Sequence, residues 1–138
     1  MYNPRRQGNL GEYSAIEYFG ARGIPVFVPI GHSPDIDLVA WMDGRFAGVQ
    51  VKTTVRRTPE GRFQAMVCTR GGNRSWSGVA KYFSPDRCDY LFVLVGDGRR
   101  WLIPSHAVQA RSAITLGGPK YAEHEVERGR PIETASGG

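Results

Sequence analysis

The strongest constraint on this chain is Asp43-Gly44, a turn dipeptide between two runs of strand-forming residues. Asp-Gly readily adopts the two positive φ angles of a tight hairpin turn, so the flanking runs are expected to fold back on each other. The first run is Asp35 to Met42 (DIDLVAWM) and the second is Phe46 to Val55 (FAGVQVKTTV). Side chains alternate across a strand. Asp35 and Asp37 therefore share a face, as do Gln50 and Lys52, and the hairpin sets these two faces side by side. Ile36, Leu38, Val49 and Val51 are apolar and belong to the opposite layer. One side of a sheet thus carries one or two carboxylates beside an amide and an ammonium.

Upstream, Asn9 to Arg22 reads as a helix. Asn9 serves as its N-cap, Glu12 completes a capping box and Gly23 supplies the stop. Glu12, Ala15, Ile16 and Phe19 recur at helical spacing and form the docking stripe. Glu12 then points inward from the end of that stripe, where a carboxylate needs a positive partner: Lys52, an arginine or a metal ion. Further strands are expected over residues 25–30, 63–69, 90–95 and 100–103. A helical turn is expected over 79–83, and a short helix from Pro104 and Ser105 to about Arg111. This order predicts an α/β or α+β domain built on a mixed sheet with helices on its faces.

With 138 residues, 41% hydrophobic and 22% charged, the chain has the material for one core, and wholesale disorder is excluded. No apolar run reaches the roughly 18 residues of a membrane span. MYNPRRQGNLGE has no apolar stretch behind its arginines, so no secretory leader is read there. Cys68 and Cys88 cannot make a disulfide framework, which fits a reducing, cytoplasmic setting, and they are too few soft ligands for a zinc site. His32, His106 and His124 lack ligand spacing; His32 alone is near the acids.

The net charge of +5 and pI near 9.6 point to a polyanionic partner, most often nucleic acid. Arginine-rich coding is the competing explanation, since fifteen of the eighteen basic residues are Arg. Arg56, Arg57, Arg62, Arg70 and Arg74, opposed only by Glu60, could track a phosphate backbone if a hairpin over 53–69 projects; otherwise they form a solvated loop. Arg5 and Arg6 offer a second basic arm. Trp76 either stacks on or wedges between bases, or anchors a loop.

Carboxylate and amide oxygens are hard donors and suit Mg²⁺ or Mn²⁺. A lysine beside them can orient or deprotonate water, or stabilise charge on a phosphoryl centre. The chemistry this supports is phosphodiester hydrolysis. Structural ion pairs among Asp35, Asp37 and Lys52 are the bland alternative; the inward Glu12 and the basic charge weigh against it.

QGNLGEYSAIEYFGARGIPVFVP followed by SPDIDLVAWMDGRFAGVQVKTT resembles the core of the PD-(D/E)XK nuclease superfamily, over about residues 7–54. CDYLFVLV with RRWLIP resembles the later paired strands of its smaller members. The resemblance implies a restriction-endonuclease-like mixed β-sheet flanked by α-helices over residues 1–126, while the polar composition of 127–138 reads as a flexible C-terminal tail. It implies that Glu12 is the helical acid and Asp37 the metal-bridging aspartate, with Asp35 the alternative. Gln50 stands where the family usually has Asp or Glu, Lys52 is its lysine, and the Val51 carbonyl adds a ligand. Mg²⁺, replaceable by Mn²⁺, and DNA follow as cofactor and partner. A homodimer or homotetramer follows too, because one site cuts one strand.

Gln50 removes a negative charge and should weaken metal binding. The QVKT run resembles group I intron homing endonucleases of the cyanobacterial type, whereas the N-terminal half resembles archaeal Holliday-junction resolvases. The expected activity is that of a metal-dependent, homing-type DNA endonuclease leaving 5′-phosphate and 3′-hydroxyl ends. A resolvase or structure-specific repair nuclease, and a catalytically inactive DNA-binding module, are the alternatives.

Overall fold

Asp43 and Gly44 both take positive φ, 52° and 76°, and close the hairpin. It pairs β2 (Leu38–Met42) with β3 (Arg45–Thr54), in register from Met42 opposite Arg45 to Leu38 opposite Val49. In this computed structural model residues 4–70 and 80–132 are described. Before the hairpin come α1 (Pro4–Ala21) and β1 (Val26–Phe27). After it come β4 (Phe63–Met66), β5 (Thr69–Arg70), β6 (Ala80–Lys81), β7 (Tyr90–Val95), β8 (Arg100–Pro104), β9 (Ala113–Leu116) and β10 (Glu125–Val126).

Helix α1 starts at Pro4, so Asn9 lies inside it and does not cap it. Proline tolerates the first turn because its missing N–H would have no partner there. At the other end Gly23, at φ 71°, sits in a Schellman stop: Ile24 N–H reaches Phe19 O at 2.9 Å and Gly23 N–H reaches Gly20 O at 3.0 Å. The buried stripe is Gly11, Ala15, Tyr18 and Phe19. Ile16, expected in it, is 40% exposed. At about 100° per residue it falls a quarter-turn from Ala15, beyond the docked face, while Glu12 sits at the edge of that face.

The main sheet runs β1-β2-β3-β7-β8-β10. β3 and β7 are parallel and the other neighbours antiparallel. A parallel pair needs a crossover. Residues 55–89 make it, and they carry β4, which pairs with β9 as a second small sheet. Helix α1 covers one face of the main sheet, where Ala15 and Phe19 meet Leu38, Val49, Phe92 and Leu94. The β4–β9 sheet covers the other, where Phe63, Ala65, Ile114 and Leu116 meet Leu91, Val93 and Trp101. The α/β class and mixed sheet therefore stand, with strands in place of a helix on the second face.

Three local readings change. Residues 80–81 form β6, paired with β5, and not a helical turn; Val79 lies outside the described residues. The helix expected to reach Arg111 is a single 3₁₀ turn, Ser105–Ala107, because Val108 returns to extended backbone. The strand expected over 63–69 is broken after Met66, where Val67 and Cys68 N–H both turn to Ser112 O. Among the described residues, no helix is long and apolar enough to cross a membrane.

Residues 127–132 lie against the domain: Gly129 N–H donates to Gly98 O at 2.7 Å and Ile132 N–H to Gly96 O at 2.9 Å. On the same edge Arg99 grips Glu125 with two hydrogen bonds, 2.8 and 3.0 Å. That bidentate grip holds the Glu125 carboxyl below its ordinary pKa. A depressed carboxyl stabilises the fold above its unfolded pKa and loses that contribution as pH falls through its folded value. Glu125→Gln should therefore cost about 0.5–1 kcal/mol at pH 7, with the deficit closing in acid, as thermal melts across pH will show.

Candidate active site

β2 begins at Leu38, yet its pairing with β3 extends one step further: Asp37 N–H donates to Val49 O at 2.9 Å. There the incoming chain leaves β3. The next outward N–H of β3, on Val51, would lack a strand acceptor, and Asp37 Oδ2 takes it at 2.7 Å. Alternation along the strand turns the Val51 carbonyl to the same side. The carboxylate is thus anchored by β3 itself at the point where the hairpin splays open.

Glu12 of α1 and Lys52 of β3 both feel the charge of Asp37, and each of the three is half-buried. Burial raises the Glu12 pKa, and the Asp37 charge raises it further. Burial also raises Asp37, against the opposing Val51 hydrogen bond and the positive charges of Lys52 and His32. Burial lowers Lys52, against the charges of Asp37, Cys68, Asp35 and Cys88. A half-buried carboxyl whose proton affinity is raised by a neighbouring carboxylate marks a place where a cation would be favoured. Among the described residues no three His, Cys, Asp or Glu side chains gather as a metal cluster. The Asp37 and Glu12 carboxylates are hard oxygen donors, of the kind that suits Mg²⁺ or Mn²⁺.

Asp35 and Gln50 lie on the crevice side of the same region, lined also by Val67, Tyr82, Phe83, Ser84 and Arg87. Gln50 is 6% exposed. Cys88 is buried 3.3 Å from Ser105 Oγ, and burial pushes its thiol up, so it is packing and not a nucleophile.

The basic residues are dispersed. Arg6, Arg56, Arg57 and Arg62 are exposed. Arg57 lies over the Phe63 ring at 4.1 Å and donates to Gly61 O, while Arg62 lies against Gly118. Residues 56–64 do form a hairpin, with Gln64 N–H donating to Arg56 O at 2.9 Å and Thr58 N–H to Arg62 O at 2.7 Å, and its returning strand β4 pairs onward with β9. Arg74 and Trp76 lie outside the described residues, and for Arg5 and Arg70 only the backbone is described. The Ser84-Pro85-Asp86-Arg87 turn, a local signal in the sequence, brings the exposed Arg87 to the crevice.

The model of the PD-(D/E)XK endonuclease family matches residues 2–134. The chain belongs to that family. A PD-(D/E)XK endonuclease is a nuclease. Among solved structures the chain is similar to a bacterial homing endonuclease, I-Ssp6803I, at 20% identity and a TM-score of 0.73. The likeness covers 88% of this chain and 82% of that one. No curated protein sequence matches.

Gly11 sets how close α1 comes to β3. A methyl group there would overlap Thr53 Oγ1 and crowd Val51 Cγ1. Gly11→Ala should therefore lower stability by about 1–3 kcal/mol in a denaturant melt. It should also slow any cleavage, since Glu12 rides on the displaced turn.

Proposed function

We propose that this nuclease is a divalent-metal-dependent DNA endonuclease of the homing type. The observation that carries the reading is the anchored Asp37 carboxylate, held by the Val51 N–H beside Glu12 and Lys52 where the hairpin opens. Similarity to a protein named as a homing endonuclease supports the same reading.

Asp37 and Glu12, with the Gln50 amide and Val51 carbonyl, would hold Mg²⁺ or Mn²⁺, which supplies Lewis acidity toward a phosphate oxygen. The Val51 N–H keeps Asp37 in one rotamer, so its second oxygen faces the gap. Lys52, whose charged form is disfavoured by burial, orients the attacking water at Nζ and, as the neutral amine, takes up the proton that the water gives when it attacks phosphorus. Asp35 faces the crevice beside Gln50 and is the alternative acid. Arg5, Arg6, Arg56, Arg57, Arg62, Arg70 and Arg74, with Trp76, contact the DNA backbone and bases. Hydrolysis leaves 5′-phosphate and 3′-hydroxyl ends, in a reducing compartment where both cysteines stay free.

One site cuts one strand, so a duplex break takes a second copy. Phe27 of β1 and Trp41 and Phe46 of the hairpin form an exposed aromatic cluster, with ring centroids 5.7 Å (Phe27–Phe46) and 4.6 Å (Trp41–Phe46) apart, and a second copy covers it. Light scattering should give a dimer or tetramer; a strict monomer removes the homing-type reading.

The deciding experiment offers linear, supercoiled and four-way-junction DNA in Mg²⁺, Mn²⁺ or EDTA. Sequence-dependent cutting of linear duplex, abolished by EDTA, is expected. Cutting at the branch whatever the sequence would make the protein a resolvase. Salt-sensitive binding with no cutting in either metal would leave a DNA-binding module.

A further inference from the structure

We infer that Tyr82, Arg87 and Arg111 form a nucleotide subsite that holds the strand being cut beside the carboxylates; this rests on the nuclease reading above. The crevice whose floor holds Asp35 and Gln50 has Tyr82, Ser84 and Arg87 on its other wall. Its enclosed volume, about 10 Å³, admits one water, so a nucleotide lies across the mouth and not inside.

The mouth is built for that. Phe83 packs on the core, while its neighbour Tyr82 turns outward and is 49% exposed. The Arg111 guanidinium stands 4.9 Å from the centre of the Tyr82 ring. The Arg111 carbonyl accepts the Phe83 N–H at 2.9 Å, which ties the two segments together. Arg87 Nη1 donates to the Tyr82 carbonyl at 3.3 Å, and a turn closed by Arg87 N–H to Ser84 O at 3.2 Å presents it there.

An exposed ring with a cation beside it is a stacking platform for any base. An exposed guanidinium next to it offers several further donors in a planar fork, the geometry that fits phosphate oxygens. Arg87 and the Tyr82 ring, which line the crevice with Asp35 and Gln50, together with Arg111 against that ring, therefore bind the nucleotide adjoining the bond that is cut. These contacts read no base, so they add affinity without sequence preference.

The test measures binding to a mixed-sequence DNA duplex by fluorescence anisotropy across salt, without divalent metal, and cutting separately with Mn²⁺. Arg87→Ala should weaken binding about five- to fiftyfold and shrink the slope of log K against log salt by about 0.9. Tyr82→Ala should weaken binding similarly with an unchanged slope, and Tyr82→Phe should restore it. Arg128→Ala, beyond the far edge strand, should change neither. Thermal melts identify any variant that merely misfolds, and Arg87→Lys, which keeps the charge but loses the fork, should bind between Arg87→Ala and the parent.

If the parent binds and cuts DNA while both alanine variants match it, the subsite is wrong and the nuclease reading stands. If the parent binds but never cuts, and the variants bind weakly with the slopes given, the subsite stands without the nuclease. A parent that binds no DNA overturns both.

Discussion

Lys52→Ala should leave a folded protein that cuts DNA roughly a hundred- to ten-thousandfold more slowly than the parent, the range for removing a positioned proton-transfer group. Its ammonium sits half-buried in a gap where burial already opposes its charge. Removing it therefore relieves desolvation, and the melting temperature should hold or rise slightly. Lys52→Arg should not restore cutting, because a guanidinium cannot give up its proton and its planar fork does not fit a site built for one ammonium. Asp37→Asn is the partner experiment. The amide oxygen can still accept the Val51 N–H, so the local fold survives, but the charge that draws a cation is gone. Titration calorimetry with Mn²⁺ should then show binding lost together with activity. A Lys52→Ala protein that cuts like the parent, with Asp37→Asn still binding Mn²⁺, would remove the catalytic assignment.

The largest stability effect should come from Arg100, which lies away from the chemistry. Its side chain is 1% exposed, at the start of β8 on the face that meets α1. Nη1 donates to Glu17 Oε1 at 2.6 Å, Ser14 O at 3.1 Å and Ser14 Oγ at 3.3 Å. Nε donates to Glu127 O at 2.7 Å. One guanidinium thus ties the helix, the sheet and the segment after β10. Arg100→Ala should cost about 3–5 kcal/mol, the range for breaking a buried charge network, and also opens a cavity. Arg100→Met keeps the apolar bulk and should cost less, because it removes a buried charge together with its need for partners. Urea melts of the three proteins check the order; Arg100→Ala melting like the parent would refute it.

Arg100 also shows what could not be read from the chain. Nothing in RRWLIP separates its two arginines, yet Arg99 pairs with the half-exposed Glu125 on one face and Arg100 is buried on the other. Strand alternation predicts opposite faces; which face is buried depends on where α1 lands. The same holds for Glu12. Spacing put it on the docking stripe, and the structure puts it at the stripe's edge, because Tyr18 and not Ile16 completes the buried face. Among the elements, the hairpin and β7 were legible because turn chemistry and a continuous apolar run are local signals. β9 was not, because it is short and pairs with β4 far back in the chain, and the β5–β6 pair was not, because two residues a strand are too few to show a period.

The hairpin, the alternation that sets Asp35 and Asp37 beside Gln50 and Lys52, and the basic charge each follow from residue types and neighbours a few positions apart. That Asp37 is the acid clasped by β3 and felt by Glu12, while Asp35 lines the crevice, emerges when the chain is assembled in three dimensions. That division arises where β2 departs from β3 and leaves the Val51 N–H in need of an acceptor. A hydrogen bond left open by diverging strands depends on how the whole sheet is assembled, and no local pattern of residues encodes it.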